Sequence, residues 1–432
     1  MLTREQLHEL TILAVSRALA GGIRAGESDL EQRLGEIVER IIPVERPDWQ
    51  RERRVLLSRA LAAVTEDGSE LIVRVLPGLC QCEAGRELCA ESCPVGGLEK
   101  DEHGIWRVDT EKCVDCELCA DVCEAGAIVR RTDILRLTHM VLERQSGREL
   151  YAILAPSFVG QFGESVHDGQ LRSALKRLGF TDAFEVALAA DITTLREADE
   201  YIDRYDHGEK FMITSCCCPA FVKLVEKRMP AIAHLVSHSV SPMIALGRLL
   251  KDREPGARVV FIGPCLAKKA ESRLDDLKDA IDLVLTFKEL RTLFAELGID
   301  VSREPDDQPL RDASHDGRIY AHTGGVSEAI VRAIKQKRPE LEIKLVKGNG
   351  LKQCQAILSA VERGEVTANF MEGMGCPGGC IGGPGTVIPV DAAAPLVDAH
   401  SKEARCLTAA ENSLARLLGE SVEAVRLRTE HE

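Results

Sequence analysis

The sequence predicts an α/β protein: parallel sheets flanked by helices over the C-terminal two-thirds, a small α+β segment stapled by cysteines before them, and helices alone at the N-terminus. Three observations predict it. From Glu149 onward, apolar runs of strand length alternate with helical periodicities, the pattern of parallel strands joined by crossover helices. Eight of the 16 cysteines fall between Cys80 and Cys123, in a stretch too short to bury a core without metal staples. Residues 1–75 contain no cysteine and show only the spacing of amphipathic helices. The expected division is therefore 1–75 helical, 76–131 cysteine-rich and 148–432 α/β.

Composition narrows the function classes. With 55 Lys and Arg against 69 Asp and Glu, the net charge is −14, which lacks the basic footprint of a nucleic-acid binder. No apolar run reaches the ~18 residues of a membrane span, and the opening MLTREQLHEL lacks the apolar centre of a secretory signal. A cytoplasmic chain without nucleic-acid or membrane partners is expected. In that reducing compartment, clustered cysteines bind metal or do chemistry more often than they pair.

The N-terminal helices are expected over residues 2–19, 28–42 and 48–64, with Ser28 or Asp29 as an N-cap of the second. Arg46, Arg51, Arg53, Arg54 and Arg59 form a local basic patch. It reads as a solvated helix face, with docking of an acidic electron carrier as the minority alternative.

In the next segment, Cys113-x2-Cys116-x2-Cys119-x3-Cys123 has the spacing of one half of a bacterial-type ferredoxin. In that half three thiolates bind one 4Fe–4S cube and the fourth reaches across to another. Cys80, Cys82, Cys89 and Cys93 form an irregular version of the same half. By the crossover rule, Cys113, Cys116, Cys119 and Cys93 hold one cube, and Cys80, Cys82, Cys89 and Cys123 the other. Zinc ribbons or disulfides are the bland readings, and the spacing favours two clusters over them. Such a segment is a redox wire and leaves the reaction open.

In the α/β part, strands are expected at 149–156, 183–189, 210–215, 257–264, 282–286, 318–322, 342–348 and 367–373. Three of them run into cysteines: Cys216–Cys218, Cys265, and the pair Cys376 and Cys380. Ligands bind beyond the carboxyl ends of parallel strands, so these thiols are expected to converge, and four thiolates suffice for a further cubane. Cys354 and Cys406 read as packed thiols.

The runs Thr214–Pro219 (TSCCCP), Gly263–Glu271 (GPCLAKKAE) and Glu372–Pro384 (EGMGCPGGCIGGP) resemble the three signature motifs of the FeFe-hydrogenases, in order. The resemblance spans about residues 78–390. It implies an H-cluster, a 4Fe–4S cube bridged by a cysteine to a two-iron centre with CO, cyanide and a dithiolate amine. The implied cube ligands are Cys218, Cys265, Cys376 and Cys380, with Cys380 the bridge. Cys217 matches the proton-donating thiol and Lys268 the donor to a cyanide. Ala155, Pro156, Ser157, Ser241, Pro242 and Met374 match wall positions. The implied reaction is reversible reduction of protons to H2 with electrons from ferredoxin or a similar carrier, after loading by maturation proteins. The implied proton route runs through Cys217, Glu197, Ser237, Glu200 and Arg204, with Glu271 auxiliary. Glu197, Glu200 and Arg204 share a helix face, and a solvated ion-pair stripe is the bland reading of it.

This chain departs from the pattern at several points. Cys216 extends the usual cysteine pair, Phe221 stands for a tryptophan, Gly263 for a methionine and Met243 for a glutamine. Glu124 stands where proline follows the last ferredoxin-type cysteine. A hydrogen sensor with the same site, or a non-catalytic iron–sulfur scaffold, are the alternatives. Retention of Cys217, Lys268 and Glu271 speaks against the scaffold.

Overall fold

Alternating apolar runs do become parallel strands. The computed structural model describes residues 4–20, 29–42, 49–64, 72–76, 79–80, 87–145, 147–306 and 308–420. They pack as two compact units, 1–147 with 288–300, and 148–287 with 301–432.

In the first unit the three N-terminal helices are Arg4–Ala20, Leu30–Ile41 and Trp49–Val64. Asp29 makes no side-chain capping bond to the second helix, and Ser28 lies outside the described residues. Leu34, Val38, Leu56 and Ala60 are buried, as the amphipathic spacing requires. Two arginines of the expected solvated patch turn inward. Arg53 donates to the carbonyls of Glu39 and Ile42 at 2.6 and 2.7 Å, closing the C-terminal end of the second helix, and Arg59 is only 2 % exposed. Segment 288–300, which reads in sequence as part of the α/β alternation, belongs to this unit, and Glu296 pairs with Arg17 at 3.0 Å.

The cysteine-rich segment carries four three-residue strands: β1 (Val73–Val75), β2 (Leu98–Lys100), β3 (Trp106–Val108) and β4 (Ile128–Arg130). β1 pairs with β4 and β2 with β3, both antiparallel. Short helices Leu88–Glu91 and Leu118–Val122 precede Cys93 and Cys123. The repeated strand–helix pattern is a small α+β ferredoxin-like fold.

The second unit holds two parallel sheets. Strands β5 (Leu150–Leu154), β6 (Asp182–Glu185), β8 (Arg258–Gly263) and β9 (Leu283–Thr286) are ordered β6-β5-β8-β9. Strands β7 (Met212–Ile213), β10 (Leu345–Asn349) and β11 (Phe370–Met374) are ordered β10-β11-β7. β8 and β11 are buried along nearly their whole length, because helices cover both faces of a parallel sheet.

One expected strand is absent. Residues 318–322 continue the turn His315–Arg318, capped by the Ser314 hydroxyl, as a 3-10 turn over Ile319–Ala321. Ile319, Tyr320 and Ala321 are all buried, and a short run buried all round carries no period that separates strand from helix.

Candidate active site

The carboxyl ends of four strands from both sheets of the second unit deliver the expected residues to one cavity. After β5, Ala155 leads into a 3-10 turn with Pro156 at its first position. β7 ends at Thr214 and Ser215, Cys216–Cys218 follow, and Pro219 opens helix Pro219–Arg228. Its fixed φ and missing N–H suit that first position. β8 ends at Gly263, then Cys265 and the turn Ala267–Glu271. β11 ends at Met374, then Cys376 and the 3-10 turn Cys380–Gly382.

The cavity encloses about 700 Å³ of empty space, its mouth included. Its walls include Ala155, Pro156, Cys217, Cys218, Pro242, Cys265, Lys268, Met374, Cys376 and Cys380. Ser157 and Ser241 are buried beside their wall-lining neighbours; the Ser241 hydroxyl caps helix Pro242–Arg253, while the Ser157 hydroxyl has no partner. Sequence reasoning missed Val186, Ala190, Phe261 and Tyr320 as wall residues. Nothing marked them, since apolar wall and apolar core look alike in a sequence.

The cysteine loop is held in a costly conformation. Ser215 has φ 79, which costs a non-glycine residue roughly 1–2 kcal/mol. Its hydroxyl accepts the Gly373 N–H at 3.1 Å, tying the loop to β11. The Cys218 sulfur in turn accepts the Gly375 N–H at 3.3 Å. On the facing loop, Gly379 has φ 87, and a Cβ there would lie 2.6 Å from the Thr323 nitrogen, so only glycine lets the backbone pass this close.

The donor set fits a polynuclear iron–sulfur group. Cys218, Cys265, Cys376 and Cys380 line one shared space, and among the described residues no three potential ligands close on a single ion. Burial pushes the Cys380 thiol up to about 12 and raises that of Cys218, so a positive centre must be present for them to act as thiolates. One cation is built in. Lys268 is 7 % exposed and its ammonium donates to Glu271 at 2.7 Å. Burial works against that ammonium, yet the Glu271 carboxylate together with the Cys217 and Cys265 sulfurs outweighs it and holds the pKa above the ordinary lysine value. The second Glu271 oxygen is buried with no partner.

Behind the thiols, helix Ala187–Asp206 presents Glu197, Glu200 and Arg204. Glu197 is fully buried and accepts from the Thr214 hydroxyl and, at 2.9 Å, from the Cys216 thiol. Cys216, surplus to the motif, is thus the thiol in hydrogen-bond contact with this carboxyl, whereas Cys217 faces the cavity. Burial pushes the Glu197 carboxyl up to about 7, against the lowering effect of its two donors. Further out, Glu200 accepts from Ser237 at 2.7 Å and from Arg204 at 2.6 Å. It also accepts the backbone N–H of His238 at 3.0 Å, and the His238 ring lies 3.5 Å from it. Among the described residues no hydrogen bond joins Glu197 to Ser237 or Glu200, so the two groups are separate clusters. His238 carries no spacing signal that sequence reasoning could have used.

In the first unit, Cys113, Cys116, Cys119 and Cys93 come together. Burial raises the Cys116 thiol to about 12, and the nearby Cys93 and Cys113 sulfurs add to the rise; the same neighbours act on Cys119. Cys80, Cys89 and Cys123 share one apolar cluster, against which Cys119 also packs. Cys82 lies outside the described residues.

Known proteins match this arrangement. The profile described as "iron only hydrogenase large subunit, C-terminal domain" matches residues 148–384. The chain belongs to the iron-only hydrogenase large-subunit family. A 4Fe–4S binding-domain profile matches residues 106–129. The "NADP-reducing hydrogenase subunit HndD" of Solidesulfovibrio fructosivorans is 30 % identical over 74 % of the chain and 65 % of its own length. The chain therefore spans less than two-thirds of that relative's length. The "nuclear prelamin A recognition factor" of Homo sapiens is 25 % identical over 69 % of the chain and 80 % of its own length. The solved apo FeFe-hydrogenase variant from Chlamydomonas reinhardtii shares the fold at TM-score 0.56 and 21 % identity, over 66 % of this chain and 94 % of that one. No described helix is long and apolar enough to cross a membrane.

Proposed function

We propose that this hydrogenase-family chain is an enzyme that reversibly reduces protons to H2 with electrons from ferredoxin or a similar carrier. The observation that carries the reading is the meeting of Cys218, Cys265, Cys376 and Cys380 with Cys217 and Lys268 on one cavity. In this reading those four cysteines would hold an H-cluster, Cys380 being the ligand shared by its two parts, and the two groups of cysteines upstream would hold two 4Fe–4S clusters. When bound, the H-cluster would supply the metal chemistry of hydrogen.

The chain's own residues have separable tasks. Lys268, kept protonated by Glu271, would offer ammonium hydrogens to an anionic diatomic ligand, an interaction strengthened where water is excluded. Ala155, Pro156, Ser157, Ser241, Pro242 and Met374 would shape and dry the wall. Cys217 would hold a proton at its sulfur at the cavity edge. Glu197, with its pKa at about 7, can both take and release a proton at neutral pH. Ser237, Glu200 and Arg204 continue outward, where Arg204 is bonded to the His234 and Val236 carbonyls at 3.0 and 3.1 Å.

A second reading, a non-catalytic iron–sulfur protein, rests on the likeness to the prelamin A recognition factor. Infrared spectroscopy after maturation separates the two. CO and cyanide bands together with hydrogen evolution from a reduced dye support the enzyme, bands without turnover support a sensor, and no bands support the second reading.

A further inference from the structure

The N-terminal helical part has no place in the chemistry so far, yet it buries a charge against the cysteine-rich segment of its own unit. Arg59, on helix Trp49–Val64, is 2 % exposed. Its guanidinium donates to the carbonyl of Gly126 and, at 3.3 Å, to that of Ile128, while Nε donates to the Thr11 hydroxyl at 3.2 Å. The Gly126 carbonyl belongs to the turn that follows Cys123, and the Ile128 carbonyl to the first residue of β4. Among the described residues, no carboxylate is a partner of Arg59. The neighbouring cation Arg130 is paired with Glu117 at 2.8 Å and with Asp121.

A buried cation without an anion is expensive, and its surroundings show what offsets the cost. Burial and the Arg130 charge lower the Arg59 pKa to about 10, and Cys123 is the anionic group acting the other way. A cube ligated by four thiolates carries net negative charge and gains one more on reduction. The fixed positive charge then favours the reduced form over the oxidised one.

We propose that Arg59 is a positioning and charge-tuning residue for the iron–sulfur cluster bound through Cys123: its guanidinium braces the turn after Cys123 and raises that cluster's reduction potential. In the step concerned, the cluster accepts one electron from a low-potential one-electron donor, and no covalent bond forms or breaks. The inference rests on the two-cluster part of the proposed function and is independent of hydrogen turnover.

The test is a potentiometric titration followed by electron paramagnetic resonance on the full chain with reconstituted clusters, in wild type, Arg59→Lys and Arg59→Met. The expected result is that Arg59→Met shifts one cluster's midpoint to more negative potential. Arg59→Lys, which keeps the charge, should remain near wild type, and the other cluster should move little in either. Unchanged midpoints in Arg59→Met with full iron content overturn the proposal, as does an equal shift in Lys and Met. If Arg59→Met alone loses iron, Arg59→Gln replaces it as the neutral variant in the same titration, a midpoint shifted to more negative potential supporting the proposal and an unchanged one overturning it. Loss of iron from both variants reduces Arg59 to a structural brace and overturns the charge role. If the chain never acquires CO and cyanide bands, the hydrogenase reading falls while these midpoints remain measurable.

Discussion

Replacing Glu197 by glutamine tests the physics of the proposed relay without requiring turnover. The Glu197 carboxyl is fully buried and its pKa stands at about 7 against an ordinary 4.5. The folded state therefore holds its proton to higher pH than the unfolded chain does. Stability is lost as pH rises through this window: the penalty is absent well below pH 4.5, grows from there, and is complete above about 7. At 1.36 kcal/mol per pH unit the full penalty is about 3 kcal/mol, most of which falls between pH 5 and pH 8. The glutamine amide would carry no such penalty but can accept from only one of Thr214 and Cys216, a pH-independent loss of about 1–3 kcal/mol. Urea unfolding followed by circular dichroism should show Glu197→Gln less stable than wild type at pH 5, and level or more stable at pH 8. Asp191 and Asp316, raised to about 7 and about 6, slope the same way in both proteins and cancel in the difference. A difference that does not change with pH would refute the raised carboxyl, and with it the relay's ability to hand protons over near neutrality.

Three further outcomes follow from the same geometry. Cys217→Ala should keep its iron and lose most hydrogen evolution with reduced dye, and wild-type turnover would transfer the proton role to Cys216, the thiol already bonded to Glu197. Glu271→Leu should lower thermal stability by about 3–5 kcal/mol, because it strands the Lys268 ammonium in a buried site, and Glu271→Gln should cost less. Gly379→Ala, with φ 87 and backbone 2.6 Å from the new Cβ, should cost about 1–3 kcal/mol or more and reduce the iron held at Cys376 and Cys380 on elemental analysis.

Much of this was legible because the sequence carries it in period and spacing. Strands such as Leu150–Leu154 and Arg258–Gly263 are apolar runs bounded by turn residues, and Cys265 comes two residues after the second. Burial of single polar groups has no such signature. Arg59 and Arg53 looked like members of a wet patch, since i, i+4 spacing does not say which face meets the core. Cys216 looked surplus because consecutive residues point in different directions once the strand ends, and only the turn at Ser215 decides which sulfur reaches Glu197. Tyr320 disappeared into a run that reads as a strand and folds as a turn, its hydroxyl 2.8 Å from Thr194.

Helix Ala187–Asp206 shows how the unit keeps costly charges in place. Near its N-terminal end, the buried Asp191 takes hydrogen bonds from the Ser314 N–H and the Asn412 amide, each at 2.8 Å, so segments distant in sequence anchor the helix. One and two turns further along, Thr194 and Glu197 meet Tyr320 and the cysteine loop, and Glu200 and Arg204 meet the loop at Ser237. Each buried acid has donors from a different element, so a rotation of the helix would strand several at once. The proposed relay needs its groups held at fixed separations before the proton arrives, and the anchoring that offsets the desolvation cost of these acids also fixes those separations. A carboxyl with its pKa lifted toward neutrality is then a consequence of the same packing: burial deep enough to hold Glu197 still is burial deep enough to make it share its proton.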